Sequence, residues 1–122
     1  MNDEQYKRYR KMKEEPIKCL FSVKDKAGRF HFLVSGSTGT HYKVTISSAG
    51  GKISCSCPDF RNNSKNYECV CKHCLFIILE KMRLFDIYHT FFKRPGCHFT
   101  PDEIALVAGA YKLNTGFKNK PF

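Results

Sequence analysis

Residues 55–74 read CSCPDFRNNSKNYECVCKHC, and this stretch constrains the fold more than any other part of the 122-residue chain. It holds five of the seven cysteines and one of the five histidines. Cysteines at this density either form disulfides or bind a metal. The charged N-terminus has no apolar secretory segment, so we expect an intracellular protein with reduced thiols. Metal binding is therefore the favoured interpretation, and a disulfide network is the alternative.

The geometry of strands and helices narrows the choice of ligands. Cys55 and Cys57 alternate along a strand, so both side chains leave from the same face. Cys71 and His73 would point about 200° apart on a regular helix, so we expect Cys71 to precede a helix and His73 to lie in its first turn. Three cysteines and one histidine fill all four positions of a structural Zn²⁺ site. We predict one zinc ion bound by these four residues, with Cys69 as the first substitute ligand.

The rest of the sequence predicts an α+β fold, in which a small antiparallel sheet of hairpins packs on a core helix. Four segments separated by turn residues have the composition of β-strands: 17–23, 29–35, 41–47 and 52–57. We expect a polar loop at 59–70 and a core helix at 74–88, with Cys74 in the apolar core. Flanking helices are predicted at 2–15 and after Thr100, where Thr-Pro-Asp-Glu is a capping-box pattern.

The pattern C-x-C-x13-C-x-H resembles the SWIM zinc finger. The similarity extends to Cys-Ser-Cys-Pro-Asp-Phe at the front of the motif, to Cys-Lys-His before an apolar helix, and to the strand at 42–46. It covers about residues 40–85 and implies a ββα zinc module that binds DNA or protein and has no catalytic activity of its own. The resemblance also implies the zinc ligands: Cys55, Cys57, Cys71 and His73.

The length and the changes in composition predict one domain with two appendages. Residues 1–16 are expected to form a basic N-terminal helix or arm. Residues 17–110 are expected to form a single zinc-binding domain around the SWIM-like core, and 111–122 a basic tail. No apolar run reaches the roughly 20 residues of a membrane span, so no membrane association is expected.

The net charge of +10 favours a polyanionic partner, and DNA is the first candidate. The proposed nucleic-acid contacts lie near the ligands and along the following helix: Arg61, Lys65, Lys72, Lys81 and Arg83. The basic run at 7–13 is a second candidate for phosphate contacts, unless it is simply the solvated face of a helix.

The alternative function is a protein-interaction adaptor, a subunit of a larger DNA-repair, recombination or ubiquitin-ligase complex. Its expected contact surface is an apolar patch of Phe85, Tyr88, Phe91 and Phe92. An enzyme is not predicted, because no acid completes a cysteine–histidine pair at a recognisable spacing. We therefore predict no catalytic residues.

Overall fold

The computed structural model describes residues 2–36, 38–48, 50–67, 69–82 and 98–113, and the side chains of 66–67 and 109–113 fall outside that description. The strands are β1 (Lys18–Lys24), β2 (Arg29–Ser35), β3 (His41–Ser47) and β4 (Ile53–Cys55). The helices are α1 (Asp3–Glu14), α2 (Pro58–Tyr67), α3 (Lys72–Leu75), a π-helical segment (Phe76–Lys81) and α4 (Pro101–Leu113). The predicted α+β class is confirmed.

The four strands form one antiparallel sheet in the order β1-β2-β3-β4. One face of the sheet carries the apolar positions of the alternating pattern, and Phe32 lies opposite Val44 across the β2–β3 ladder. Both side chains are fully buried, together with Leu75 and Ile78 from the helix that packs on this face. Alternation of side chains along each strand thus places the core between sheet and helix.

The core helix begins earlier than predicted and changes its hydrogen bonding partway along. Cys71 is the N-cap of α3, and Lys72 is the first residue of the helix. After Leu75 the backbone is π-helical, and the Met82 N–H donates to the Ile77 carbonyl five residues back. Residues 83–88 of the predicted helix lie outside the described residues.

The prediction of a loop at 59–70 is wrong, because most of this segment is α2. Pro58 occupies the first helical position, where its missing N–H removes no helical hydrogen bond. The Asn63 side chain donates to Asp59 Oδ1 at 2.9 Å, one turn apart, and Asp59 also accepts a bidentate pair of hydrogen bonds from Arg8 at 2.8 Å each. The asparagines that suggested a loop are therefore compatible with this helix.

Helix α1 packs against the domain along one face. Gln5, Arg8 and Met12 are buried, and the Asn2 side chain caps the helix by accepting from the Gln5 N–H at 2.7 Å. The Gln5 amide group pairs with both backbone groups of Val70: Nε2 donates to the carbonyl at 2.9 Å, and Oε1 accepts from the N–H at 2.8 Å. The predicted N-terminal helix is confirmed, and it is docked on the segment that precedes Cys71.

The capping box before α4 is also confirmed. The Thr100 N–H donates to Glu103 Oε1 at 2.8 Å, and the Glu103 N–H donates to Thr100 Oγ1 at 3.3 Å. The segment before this helix is connected to the β3–β4 turn through the Phe99 N–H, which donates to the Gly51 carbonyl at 2.7 Å. Among the described residues, the helices are too short or too polar to cross a membrane.

Candidate metal centre

The four predicted ligands come together at the junction of the sheet with the two helices α2 and α3. Cys55 ends β4, and Cys57 follows two residues later, just before α2. Cys71 caps α3, and His73 lies in its first turn, as the geometric argument predicted. Each of the four residues is at most 5% exposed. The metal centre therefore connects the end of the sheet to the start of the core helix.

The distances within this cluster fit one tetrahedral ion. The three Sγ atoms and one imidazole nitrogen all lie within 4.8 Å of one another. His73 Nδ1 lies 3.8 Å from Cys55 Sγ and 3.8 Å from Cys71 Sγ. Zn–S and Zn–N bonds of ordinary length at a tetrahedral centre would separate sulfur from nitrogen by about 3.6 Å. The cluster can hold one metal ion, with Nδ1 as the nitrogen that faces it.

The electrostatics of the cluster favour a bound cation. Hydrogen bonds from Cys57 and Cys71 hold the pKa of Cys55 well below its usual value. The neighbouring Cys55 in turn raises the pKa of Cys57 to about 11, and burial raises the pKa of Cys71 well above its usual value. Burial and the neighbouring thiol thus disfavour further thiolates in the cluster. Three thiolates require a compensating positive charge, which a divalent metal supplies.

The second nitrogen of His73 is held by packing. Nε2 is buried and has no hydrogen-bond partner among the described residues. A Cβ atom at Gly36 would come within 3.4 Å of it, so this glycine leaves room for the ring. The Tyr42 ring lies against the imidazole with the two centroids 4.9 Å apart. A metal-bound histidine usually donates its second N–H to a carbonyl or carboxylate, and the described surroundings replace that bond with an aromatic contact.

The residues around the ligands fix their backbone. The Phe60 N–H of α2 donates to Cys57 Sγ at 3.4 Å, and the Arg61 N–H donates to the Cys57 carbonyl at 3.2 Å. On the other side, the contact of Gln5 with Val70 fixes the residue before Cys71. Sequence reasoning missed the role of Gln5, since no local pattern connects residues 65 positions apart.

The two other cysteines near the motif, Cys69 and Cys74, lie in different surroundings from each other. Cys69 is buried at 4% exposure, and the charged groups near it are those of α1 and α2, led by Arg8. Cys74 is fully buried, as predicted, and its Sγ lies 3.7 Å from Cys71 Sγ. The additional thiol beside the metal centre is therefore Cys74 and not Cys69. The six described cysteines are all free, and Cys97 lies outside the described residues.

Two of the five predicted nucleic-acid contacts are exposed side chains of α2. Arg61 and Lys65 are four residues apart and therefore lie on one face of the helix. The other three predicted contacts are not free, exposed cations of α2. Lys72 forms an ion pair with Glu15, Lys81 is half-buried, and Arg83 lies outside the described residues.

The basic run of α1 is largely compensated by neighbouring acids. Most of its cations are in ion pairs: Lys7–Glu4, Arg8–Glu4, Arg8–Asp59, Arg10–Glu14 and Lys13–Glu80. This helix therefore contributes less free positive charge than its sequence suggests. The apolar patch predicted for an adaptor, 85–92, lies outside the described residues.

Comparison of the chain with family models, with curated proteins and with solved structures gave no match. The fold and the ligand cluster define a small α+β module with a buried centre for one metal ion, compatible with a zinc finger.

Proposed function

We propose that this chain is a SWIM-type structural-zinc module that binds nucleic acid, with DNA as the first candidate, and that it has no catalytic role. The observation that carries the proposal is the buried cluster of three thiols and one imidazole, whose ligand atoms all lie within 4.8 Å of one another. One ligand pair comes from the end of a hairpin and the other from the start of the core helix, which is the arrangement that the SWIM resemblance implies.

The chemistry of the donors supports zinc. A set of three sulfurs and one imidazole nitrogen suits Zn²⁺, which is borderline-soft and tetrahedral in structural sites. Four protein ligands leave no position for water or substrate, so the ion stabilises the fold and does not react. Zinc–thiolate bonds and six free cysteines among the described residues suit a reducing, intracellular compartment.

The charge of the chain supports a nucleic-acid partner. The net charge is +10, and the cations of α1 are mostly paired, so free positive charge is concentrated elsewhere. Arg61 and Lys65 extend from α2, whose first turn follows the ligand Cys57. We therefore propose that the metal centre positions α2 and that these two side chains contact phosphates.

A salt titration tests this function. The zinc-loaded protein is titrated into fluorescently labelled duplex and single-stranded DNA at several salt concentrations. The test variant is Arg61→Gln/Lys65→Gln. The matched control is Lys18→Gln/Lys26→Gln, which removes the same charge from exposed positions on the β1–β2 hairpin. For duplex DNA, loss of two phosphate contacts should reduce the slope of log K against log salt by about 2.

The control variant should bind with a slope near that of the wild type. An equal decrease of the slope in both variants would mean that net charge, and not α2, determines binding. Failure of the wild type to bind DNA or RNA at low salt would remove the nucleic-acid function. The adaptor hypothesis would then stand first, and a stoichiometric protein partner would be its expected observation.

A further inference from the structure

Cys74 lies beside the metal centre without belonging to the predicted ligand set. Its Sγ is 3.7 Å from Cys71 Sγ, and Cys74 is one of the groups that lower the pKa of Cys55. Two thiolates on one tetrahedral zinc ion would be about 3.8 Å apart. Cys74 thus already has the separation from Cys71 that a shared metal ion requires.

The local sequence and helix geometry support this arrangement. Cys71 and Cys74 are separated by two residues, a spacing that recurs in pairs of zinc ligands. Cys71 is the N-cap of α3, and Cys74 is the third residue of the helix, so both side chains lie on the same side of its first turn. Cys74 is fully buried and has no access to water.

His73 lacks, among the described residues, the outer hydrogen bond that normally fixes a ligand histidine. Its Nε2 has no hydrogen-bond partner among the described residues. The residue is only 3% exposed, so bulk water does not supply one. An outer hydrogen bond normally fixes the ring of a metal-bound histidine and raises its basicity. Contact with Tyr42 is a weaker constraint on the ring than such a bond.

We propose that Cys74 is an alternate fourth ligand, so that the centre binds a metal through three sulfurs and His73 Nδ1 or through four sulfurs. The inference rests on the proposed zinc centre. The compact set of ligand atoms within 4.8 Å contains His73 and not Cys74, so the exchange requires the Cys74 sulfur to move into the position that His73 Nδ1 leaves. Cys74 loses its thiol proton as it binds, and His73 is released. The four-sulfur form suits a softer cation than zinc, and Cd²⁺ is the probe of choice.

The experiment uses the full chain, freed of zinc under reducing conditions and titrated with Co²⁺. The variants are His73→Ala, Cys74→Ser and the double variant. The wild type and Cys74→Ser should give the absorption spectrum of three sulfurs and one nitrogen. His73→Ala should bind one Co²⁺ with a four-sulfur spectrum and an affinity within about tenfold of the wild type. The double variant should bind at least about 100-fold more weakly than the wild type, since it lacks a fourth ligand.

Equal weakening of His73→Ala and the double variant would overturn the inference. If the wild type itself binds no metal, the proposed zinc centre fails first, so the two failures are distinguishable. A second measurement does not depend on the folding of His73→Ala. With Cd²⁺, the wild type should show about one third more thiolate-to-metal charge-transfer absorbance than Cys74→Ser, the ratio of four Cd–S bonds to three. Equal absorbance would also overturn the proposal.

Discussion

Replacing Gln5 with alanine should destabilise the domain although Gln5 is a polar residue in a charged helix. Its side-chain amide is 1% exposed and satisfies both the N–H and the carbonyl of Val70 at 2.8 and 2.9 Å. Truncation removes both bonds and leaves two buried backbone groups without partners. The helix also loses its direct connection to the residue before the ligand Cys71.

The magnitude follows from the number of unpaired groups. An unsatisfied buried donor or acceptor costs about 1–3 kcal/mol, so two of them predict a loss of about 2–6 kcal/mol in the free energy of unfolding. Because the Val70 backbone adjoins Cys71, zinc affinity should fall as well, by about tenfold, which is typical of groups that support a ligand.

The assay is urea denaturation followed by circular dichroism at a fixed excess of zinc, since bound metal contributes to apparent stability. Tyr6→Ala is the matched control, because the neighbouring Tyr6 lies on the same helix and is 53% exposed. Its free energy of unfolding should change by less than about 0.5 kcal/mol. A Gln5→Ala variant as stable as the control would refute the role assigned to this amide.

Two further substitutions test other connections in the fold. Burial raises the pKa of Asp59, but hydrogen bonds led by that from Arg8 outweigh burial and lower the pKa overall. Asp59 therefore stabilises the fold above its unfolded pKa of about 4, and this stabilisation is lost as the pH falls through the lower folded pKa. Thermal unfolding of wild type and Arg8→Met should show a difference in stability that narrows as the pH falls below about 4. A difference in stability that does not change with pH would contradict this role of Asp59. Gly51→Ala should lose at least about 3 kcal/mol in urea denaturation, since φ is +65° and a Cβ atom would overlap the Phe99 carbonyl. Gly50→Ala is the control, because Gly50 has a similar φ of +87° but no atom lies within 4 Å of the new Cβ. If Gly50→Ala lost as much stability as Gly51→Ala, the steric explanation would be wrong.

Local patterns predicted the sheet and the ligand cluster because both depend on short-range geometry. The strand at 41–47 was expected from alternation alone, and the structure has β3 at His41–Ser47. The same alternation placed Cys55 and Cys57 on one face, and the 100° rotation per helical residue required Cys71 to precede the helix. The preference of structural zinc for four protein ligands then completed the set with His73.

Features that depend on tertiary contacts were missed. The asparagine-rich segment at 59–70 predicted a loop, but Arg8 of α1 neutralises Asp59 in the first turn and most of the segment forms α2. Cys69 was expected to be the spare ligand because it mirrors the first Cys-x-Cys pair. Its side chain instead lies near the charged residues that join α1 to α2, whereas Cys74 contacts the cluster. Neither outcome depends on spacing along the chain.

Metal analysis of the purified protein under reducing conditions tests the central claim most directly. The proposed zinc centre predicts one zinc ion per chain in the wild type. Cys57→Ser and Cys71→Ser should each lose most of the bound zinc, and Cys19→Ser, which changes a thiol outside the cluster, should retain it. Removal of zinc by a chelator should also unfold or strongly destabilise the wild type. Much less than one zinc per chain in the wild type, or the same zinc content in all three variants, would contradict the account.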